Sequence, residues 1–189
     1  MEQFAVKPVI TFGTGALAAL EELPGERVLV ITDGFLAKSG LLDKVLAHLK
    51  GRTVEIFDQV VPDPPIDLVA KGARALADFK PRTVVAFGGG SPMDVAKAVG
   101  VVAKFGGTIG DYEGVGKVPG PIDTLIAVPT TAGTGSEVTV AAVITDEARN
   151  YKLSVLGPEI SPTYAVLDPE LIMTAPCLLY TSPSPRDRG

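Results

Sequence analysis

The chain has 189 residues, 46% of them hydrophobic, and a formal net charge of −5, enough apolar material for one full core or for one domain and the start of another. That charge, with no clustered Lys and Arg, excludes the basic footprint of a nucleic-acid or anionic-membrane binder. No apolar run approaches a membrane span, and residues 1–4 lack the basic and apolar regions of a secretory signal, so a cytoplasmic location is the expectation. The single cysteine, Cys177, has no partner for an internal disulfide, and no Cys or His cluster offers a structural metal site.

Residues 8–12 read as a first strand, followed after Gly13-Thr14-Gly15 by a short apolar helix through Leu17 and Leu20. The segment 27–33 is a buried strand ending in Thr32-Asp33, and Leu36, Leu41, Leu42, Val45, Leu46 and Leu49 supply the stripe of the next helix. A strand at 53–57 runs into the stiff Val61-Pro62-Asp63-Pro64-Pro65 loop, and a helix over about 67–79 leads to the β-branched strand 83–87. After the glycine-rich turn comes a helix with Val95, Ala98, Val99 and Val102 at helical spacing. A long loop over 106–121, a strand at 124–128 and a hairpin (138–145 with 152–156) follow, then a last strand at 164–167. Asp168-Pro169 opens a final helix, with Asp as cap and Pro at the first helical position. Such alternation predicts a mostly parallel α/β sheet flanked by helices, with a small β-hairpin inserted. On sheets of this kind ligands gather at the C-terminal strand ends, where Asp33, Asp63, the Gly88 turn and the Thr130 loop all fall.

The turn itself is Phe87-Gly88-Gly89-Gly90-Ser91-Pro92-Met93-Asp94-Val95-Ala96-Lys97. Ser91 is expected to N-cap the helix, with Pro92 at its first position and Asp94 closing a capping box. Backbone N–H groups in a strand-to-helix turn without Cβ atoms suit a phosphate or pyrophosphate, although a well-capped tight turn explains the same residues. Asp33 either accepts from an adenosine ribose or merely caps a turn, since it precedes the glycines instead of following them as in the usual order. Thr130, Thr131, Thr134 and Ser136 crowd hydroxyls after a strand, to meet a cofactor or to bond their own backbone. Lys152 reads as an anion contact or an edge charge, and Lys97 as solvated or paired with a carboxylate. His48, the only histidine, reads as a surface residue, because a metal site or proton relay needs convergent partners.

From Cys177 onward the composition changes: the only Cys, a Ser-Pro repeat and a basic end arrive together. Residues 177–189 look like translated adapter sequence, and the expected domain is therefore 1–176.

From about Val9 to Pro176 the chain resembles the N-terminal part of an iron-containing (group III) alcohol dehydrogenase. The resemblance is carried by the glycine turn through Lys97, by Pro129-Thr130-Thr131-Ala132-Gly133-Thr134-Gly135-Ser136-Glu137-Val138-Thr139, and by Leu167-Asp168-Pro169-Glu170-Leu171. It implies a Rossmann-like NAD(P)-binding domain and a C-terminal all-helical domain that this sequence lacks, with the active site between them. The family's pyrophosphate loop maps to Gly88, Gly89, Gly90 and Ser91, shaped by Asp94, and its ribose-reading acid to Asp33, which implies NAD. Further cofactor contacts map to Asp63, where the family often has Asn, and to Thr130, Thr131, Thr134 and Lys152. Pro65 stands where Thr or Ser is common. The family binds Fe2+ through an Asp and three His of the helical domain. The first would fall near Arg186, so no metal ligand and no catalytic residue is carried over. The resemblance further implies a small alcohol or aldehyde substrate and a homo-oligomer in the intact protein. A zinc-dependent glycerol dehydrogenase relative and a non-catalytic nucleotide-binding module are the alternatives. A fragment of this kind is expected to be inactive alone.

Overall fold

In the computed structural model, which describes residues 6–173, the most apolar strands lie at the centre. β2 (Arg27–Asp33), β4 (Thr83–Gly88) and β6 (Leu125–Pro129) carry buried residues at almost every position. A parallel strand covered on both faces has no solvent side on which a polar residue could alternate. Around them stand β1 (Val9–Phe12), β3 (Thr53–Val60) and β9 (Tyr164–Leu167), giving a six-stranded sheet in the order β1-β9-β6-β4-β2-β3. All its pairings are parallel.

Successive residues of the central strands serve opposite layers, as the two-residue period of a strand requires. Leu29, Ile31, Val84, Ala86, Leu125 and Ala127 face a core shared with α2 (Ile66–Phe79) and α3 (Gly90–Phe105). Val28, Val30, Val85, Phe87, Ile126 and Val128 face the other, closed by α1 (Leu41–Ala47) and by a 3-10 helix over Ala16–Glu22. The mostly parallel α/β class expected from the alternation, and the Rossmann-like form that the resemblance implies, are the observed ones.

Three elements differ from the sequence reading. The apolar stripe over 36–49 is broken: Leu36–Lys38 is a 3-10 turn, and Gly40 at φ +78° separates it from α1. The long loop after α3 contains a 3-10 turn over Ile109–Tyr112, held by reciprocal Thr108 and Asp111 capping bonds, and a two-residue strand β5 (Gly114–Val115). β5 pairs with β8 (Tyr151–Leu156), which pairs with β7 (Ala141–Asp146), so the predicted hairpin is one part of a three-stranded second sheet. Asp168 does cap a helical turn, accepting from the Glu170 N–H at 3.1 Å, but the described turn is 3-10 over Pro169–Leu171. The 1–176 boundary and the tail 177–189 lie outside the described residues.

Candidate functional site

The site is assembled by register. Ile31 pairs with Ala86, and Gly88 with Pro129, so the ends of β2, β4 and β6 lie side by side. From β2 the chain moves outward to β3, whereas β4 lies on the other side of β2. The crevice between Asp33 and the glycine turn is therefore the topological switch point, where strand connections leave to opposite sides and a ligand finds room.

The turn departs from its expected form. Helix α3 starts at Gly90 with Gly89 as N-cap and no side-chain cap, so Ser91 is not the cap and Pro92 sits in the third helical position. Proline is tolerated in a first turn because its missing N–H has no intrahelical acceptor there. The helix N-terminus thus presents the Gly90 and Ser91 N–H groups without a side-chain oxygen over them. Gly88 sits at φ +145°, and a Cβ on it would lie 2.6 Å from Pro92 Cγ and 3.1 Å from Leu36 Cδ1. A Cβ on Gly89 would stand 3.2 Å from Thr131 Oγ1, and one on Gly90 would stand 3.4 Å from Ser136 Oγ. The third glycine therefore works as a close-approach surface for the hydroxyl loop.

Asp94 does not close the expected capping box. Its Oδ2 accepts the Val143 N–H at 3.0 Å, tying α3 to the second sheet, and burial pushes its carboxyl up against the opposing pull of that bond, of Lys97 and of Ser136. Lys97 is neither solvated nor in a carboxylate pair. It is fully buried, and its ammonium donates to the carbonyl oxygens of Ser136, Thr139 and Ala141. The helix is packed on β7 where the sequence pattern gave it a solvent face, because residues 136–141 cross over it.

A cavity of about 970 Å³ opens at the strand ends. Asp33, Gly89, Gly90, Ser91, Thr130 and Thr131 line it. Gly88 lies beneath, and Thr134 packs beside Gly90. The apolar part of the lining is built by Phe35, Leu36, Leu41, Val60 and Pro62. Sequence reasoning missed these residues, whose only signal was being apolar just past a strand end. Asp33 Oδ1 accepts the N–H groups of Phe35 (2.9 Å) and Leu36 (2.8 Å), so one oxygen caps the turn while the residue also lines the cavity. Thr131 Oγ1 is buried with no partner. A buried hydroxyl without a bond is costly unless something else satisfies it.

Asp63 and Lys152 do not line this cavity. They pair with each other, Lys152 Nζ to Asp63 Oδ1 at 2.6 Å, both well exposed. The contact joins the second sheet to the loop before α2, where Thr145 also donates to the Pro64 carbonyl. Asp63 holds φ +50° in that loop. His48 lies on the surface beside Glu21, with Nδ1 2.7 Å from the carboxylate. Among the described residues, no group of three or more His, Cys, Asp or Glu could hold a metal, and no helix is long and apolar enough to cross a membrane.

A parallel sheet with a glycine turn, an open helix N-terminus and an acid at its switch point defines a Rossmann-like α/β fold. The chain belongs to the family described as "Iron-containing alcohol dehydrogenase", whose model it matches over residues 8–169. It is 40% identical over 182 residues to the NAD-dependent methanol dehydrogenase of Bacillus methanolicus, covering 93% of this chain and 48% of that protein. Among solved structures it is similar to a 1,3-propanediol oxidoreductase, with TM-score 0.89, 34% identity, and coverage of 95% of this chain and 48% of the other. It is likewise similar to the sulfoacetaldehyde reductase of Bifidobacterium kashiwanohense in complex with NAD+, with TM-score 0.85, 32% identity, and coverage of 93% and 48%. The chain spans about half the length of the curated relatives it matches. Nothing in these likenesses supports the zinc-dependent alternative.

Proposed function

We propose that this chain binds NAD as the cofactor-holding part of an alcohol dehydrogenase, exchanging a hydride with a small alcohol or aldehyde in the intact protein. One observation carries the reading: a carboxylate and an uncapped helix N-terminus line one cavity, with Thr131, whose partnerless hydroxyl is buried against Gly89, beside them. These residues fit a dinucleotide in its parts. The apolar lining of Leu36 and Val60 suits a base, Asp33 suits ribose hydroxyls, and the Gly89 to Ser91 backbone suits two phosphates.

NAD, when bound, supplies the hydride-accepting nicotinamide. The residues of this chain orient it. The N–H groups of Gly90 and Ser91, backed by the dipole of α3, hold negative charge. Asp33 spends Oδ1 on the turn, which fixes the carboxylate's direction and leaves Oδ2 for the ribose. Thr131 and Thr134 are assigned to the cofactor beside the turn, and Lys152 and Asp63 to its outer edge. The iron of the family name is not accommodated by any cluster among the described residues, so no step is assigned to it. A homo-oligomer and a cytoplasmic location complete the proposal for the intact protein.

The test is calorimetric titration of NAD+ into the 189-residue chain and into Gly89→Val, whose side chain would crowd Thr131. Saturable binding lost in the variant is expected. A wild-type chain of native circular dichroism that takes up no NAD+ would refute the reading.

A further inference from the structure

Lys97 lies seven residues, about two turns, beyond the start of α3 and does not line the cavity. Its ammonium meets four acceptors: the carbonyls of Ser136 (2.8 Å), Thr139 (3.1 Å) and Ala141 (2.8 Å), and Thr139 Oγ1 (3.2 Å). Three protons are shared among them. Ser136 and Thr139 belong to the irregular stretch that carries the chain from the hydroxyl loop into β7, where carbonyls have no ladder to satisfy them, and Ala141 is the first residue of β7 itself. The charged groups facing Lys97 are Asp94 from its own helix and Glu137 from the crossing segment.

A buried ammonium is costly, and an apolar side chain of similar length would pack the same gap without that cost. What packing cannot supply is a donor for three converging carbonyls. The gripped segment begins at Ser136, whose hydroxyl packs against Gly90, the first residue of the helix that carries Lys97. One rigid helix therefore holds both walls, the glycine turn by its backbone and the hydroxyl loop through its lysine.

We propose that Lys97 is a positioning residue for the cofactor site: its ammonium, gripping residues 136–141, sets the distance between the threonine-bearing wall and the glycine turn. The proposal rests on the NAD reading of the cavity. The grip carries a proton signature. Burial pulls Lys97 down to about 8 against the opposing pull of Asp94 and Glu137. A local opening that wets the lysine restores its ordinary affinity for a proton, so the open form binds more protons above pH 8. Opening then becomes harder as pH rises, by about tenfold between pH 7 and 9.

The experiment is amide hydrogen exchange on the 189-residue chain, wild type and Lys97→Met, from pH 7 to 9 and corrected for intrinsic rates, with NAD+ titrated in parallel. In Lys97→Met, protection of the Val138, Thr139 and Val143 amides should fall at least tenfold and NAD+ affinity with it. The amides of Val30 and Val85 should stay within about threefold of wild type, and the pH-dependent gain in protection over 136–143 should vanish. Unchanged protection there, or a loss shared equally by the central strands, overturns the proposal. If Lys97→Met does not fold, Lys97→Gln, which keeps a donor but no charge, decides: protection over 136–143 and NAD+ affinity both equal to wild type refute the grip. A grip found in a chain that binds no NAD+ at any pH refutes the cofactor reading, and the positioning role with it.

Discussion

Replacing Asp33 by Asn separates the two uses of one side chain. Asn retains Oδ1, which accepts from the Phe35 and Leu36 N–H groups, and Asn and Asp are nearly equivalent as turn and helix caps. The fold should therefore be unchanged, with a melting temperature within a degree or two. The charge is what disappears. Two unit charges 4 Å apart repel by about 1 kcal/mol in bulk water and about 4 kcal/mol at an effective dielectric near 20. Asp33 is half-buried at the cavity wall, which puts the penalty on a 2′-phosphate at about 1.5 to 3 kcal/mol, about ten- to over a hundredfold in affinity. Calorimetric titration of NAD+ and NADP+ at fixed ionic strength should show that preference for NAD+ in the wild type. In Asp33→Asn, NADP+ should tighten by at least tenfold while NAD+ weakens a few-fold. Equal binding of both by the wild type, or an undiminished preference in Asp33→Asn, would reduce Asp33 to a turn cap and place ribose recognition elsewhere.

Gly88→Ala puts a Cβ 2.6 Å from Pro92 Cγ at a φ that L residues rarely adopt, and should cost at least about 1 to 3 kcal/mol in urea unfolding; a loss below about 0.5 kcal/mol would mean that the turn relaxes freely. For Lys97 the unfolded chain holds its proton to about pH 10.5 and the folded chain only to about 8. Wild-type stability should therefore gain on Lys97→Met by up to about 3 kcal/mol between pH 8 and 10.5, a contribution lost as pH falls through 8; parallel stability profiles would contradict the burial of the charge. Asp63→Asn breaks an exposed ion pair and should move the unfolding free energy by no more than about 1 kcal/mol. The same change removes a charged acceptor at the cofactor's outer edge and loosens Lys152, so NAD+ should weaken a few-fold; unchanged or tighter NAD+ binding would show that Asp63 does not serve the cofactor.

Much of the scaffold is written locally. β2, β4 and β6 announce themselves as unbroken apolar runs because both their faces are buried, and strand–helix alternation allows few arrangements other than a parallel sheet. The glycine turn, Asp33 and the hydroxyl loop are legible for the same reason, since each lies directly after such a strand. Ser-Pro-x-Asp satisfies the local pattern of a cap, whereas α3 starts at Gly90, where Ser136 and Thr134 of the distant hydroxyl loop come close. β5 was invisible because two residues have no periodicity, and only β8 alongside makes them a strand. What the tertiary structure alone decided is where charges go. Lys97 looks like any surface lysine on an amphipathic helix, and its burial depends on a segment about forty residues later crossing above it. Asp63 and Lys152, 89 positions apart, become partners only when the second sheet docks on the loop before α2. Hydrophobic patterning acts between near neighbours along the chain, while desolvation and ion pairing depend on which distant backbone arrives, and no local spacing encodes that.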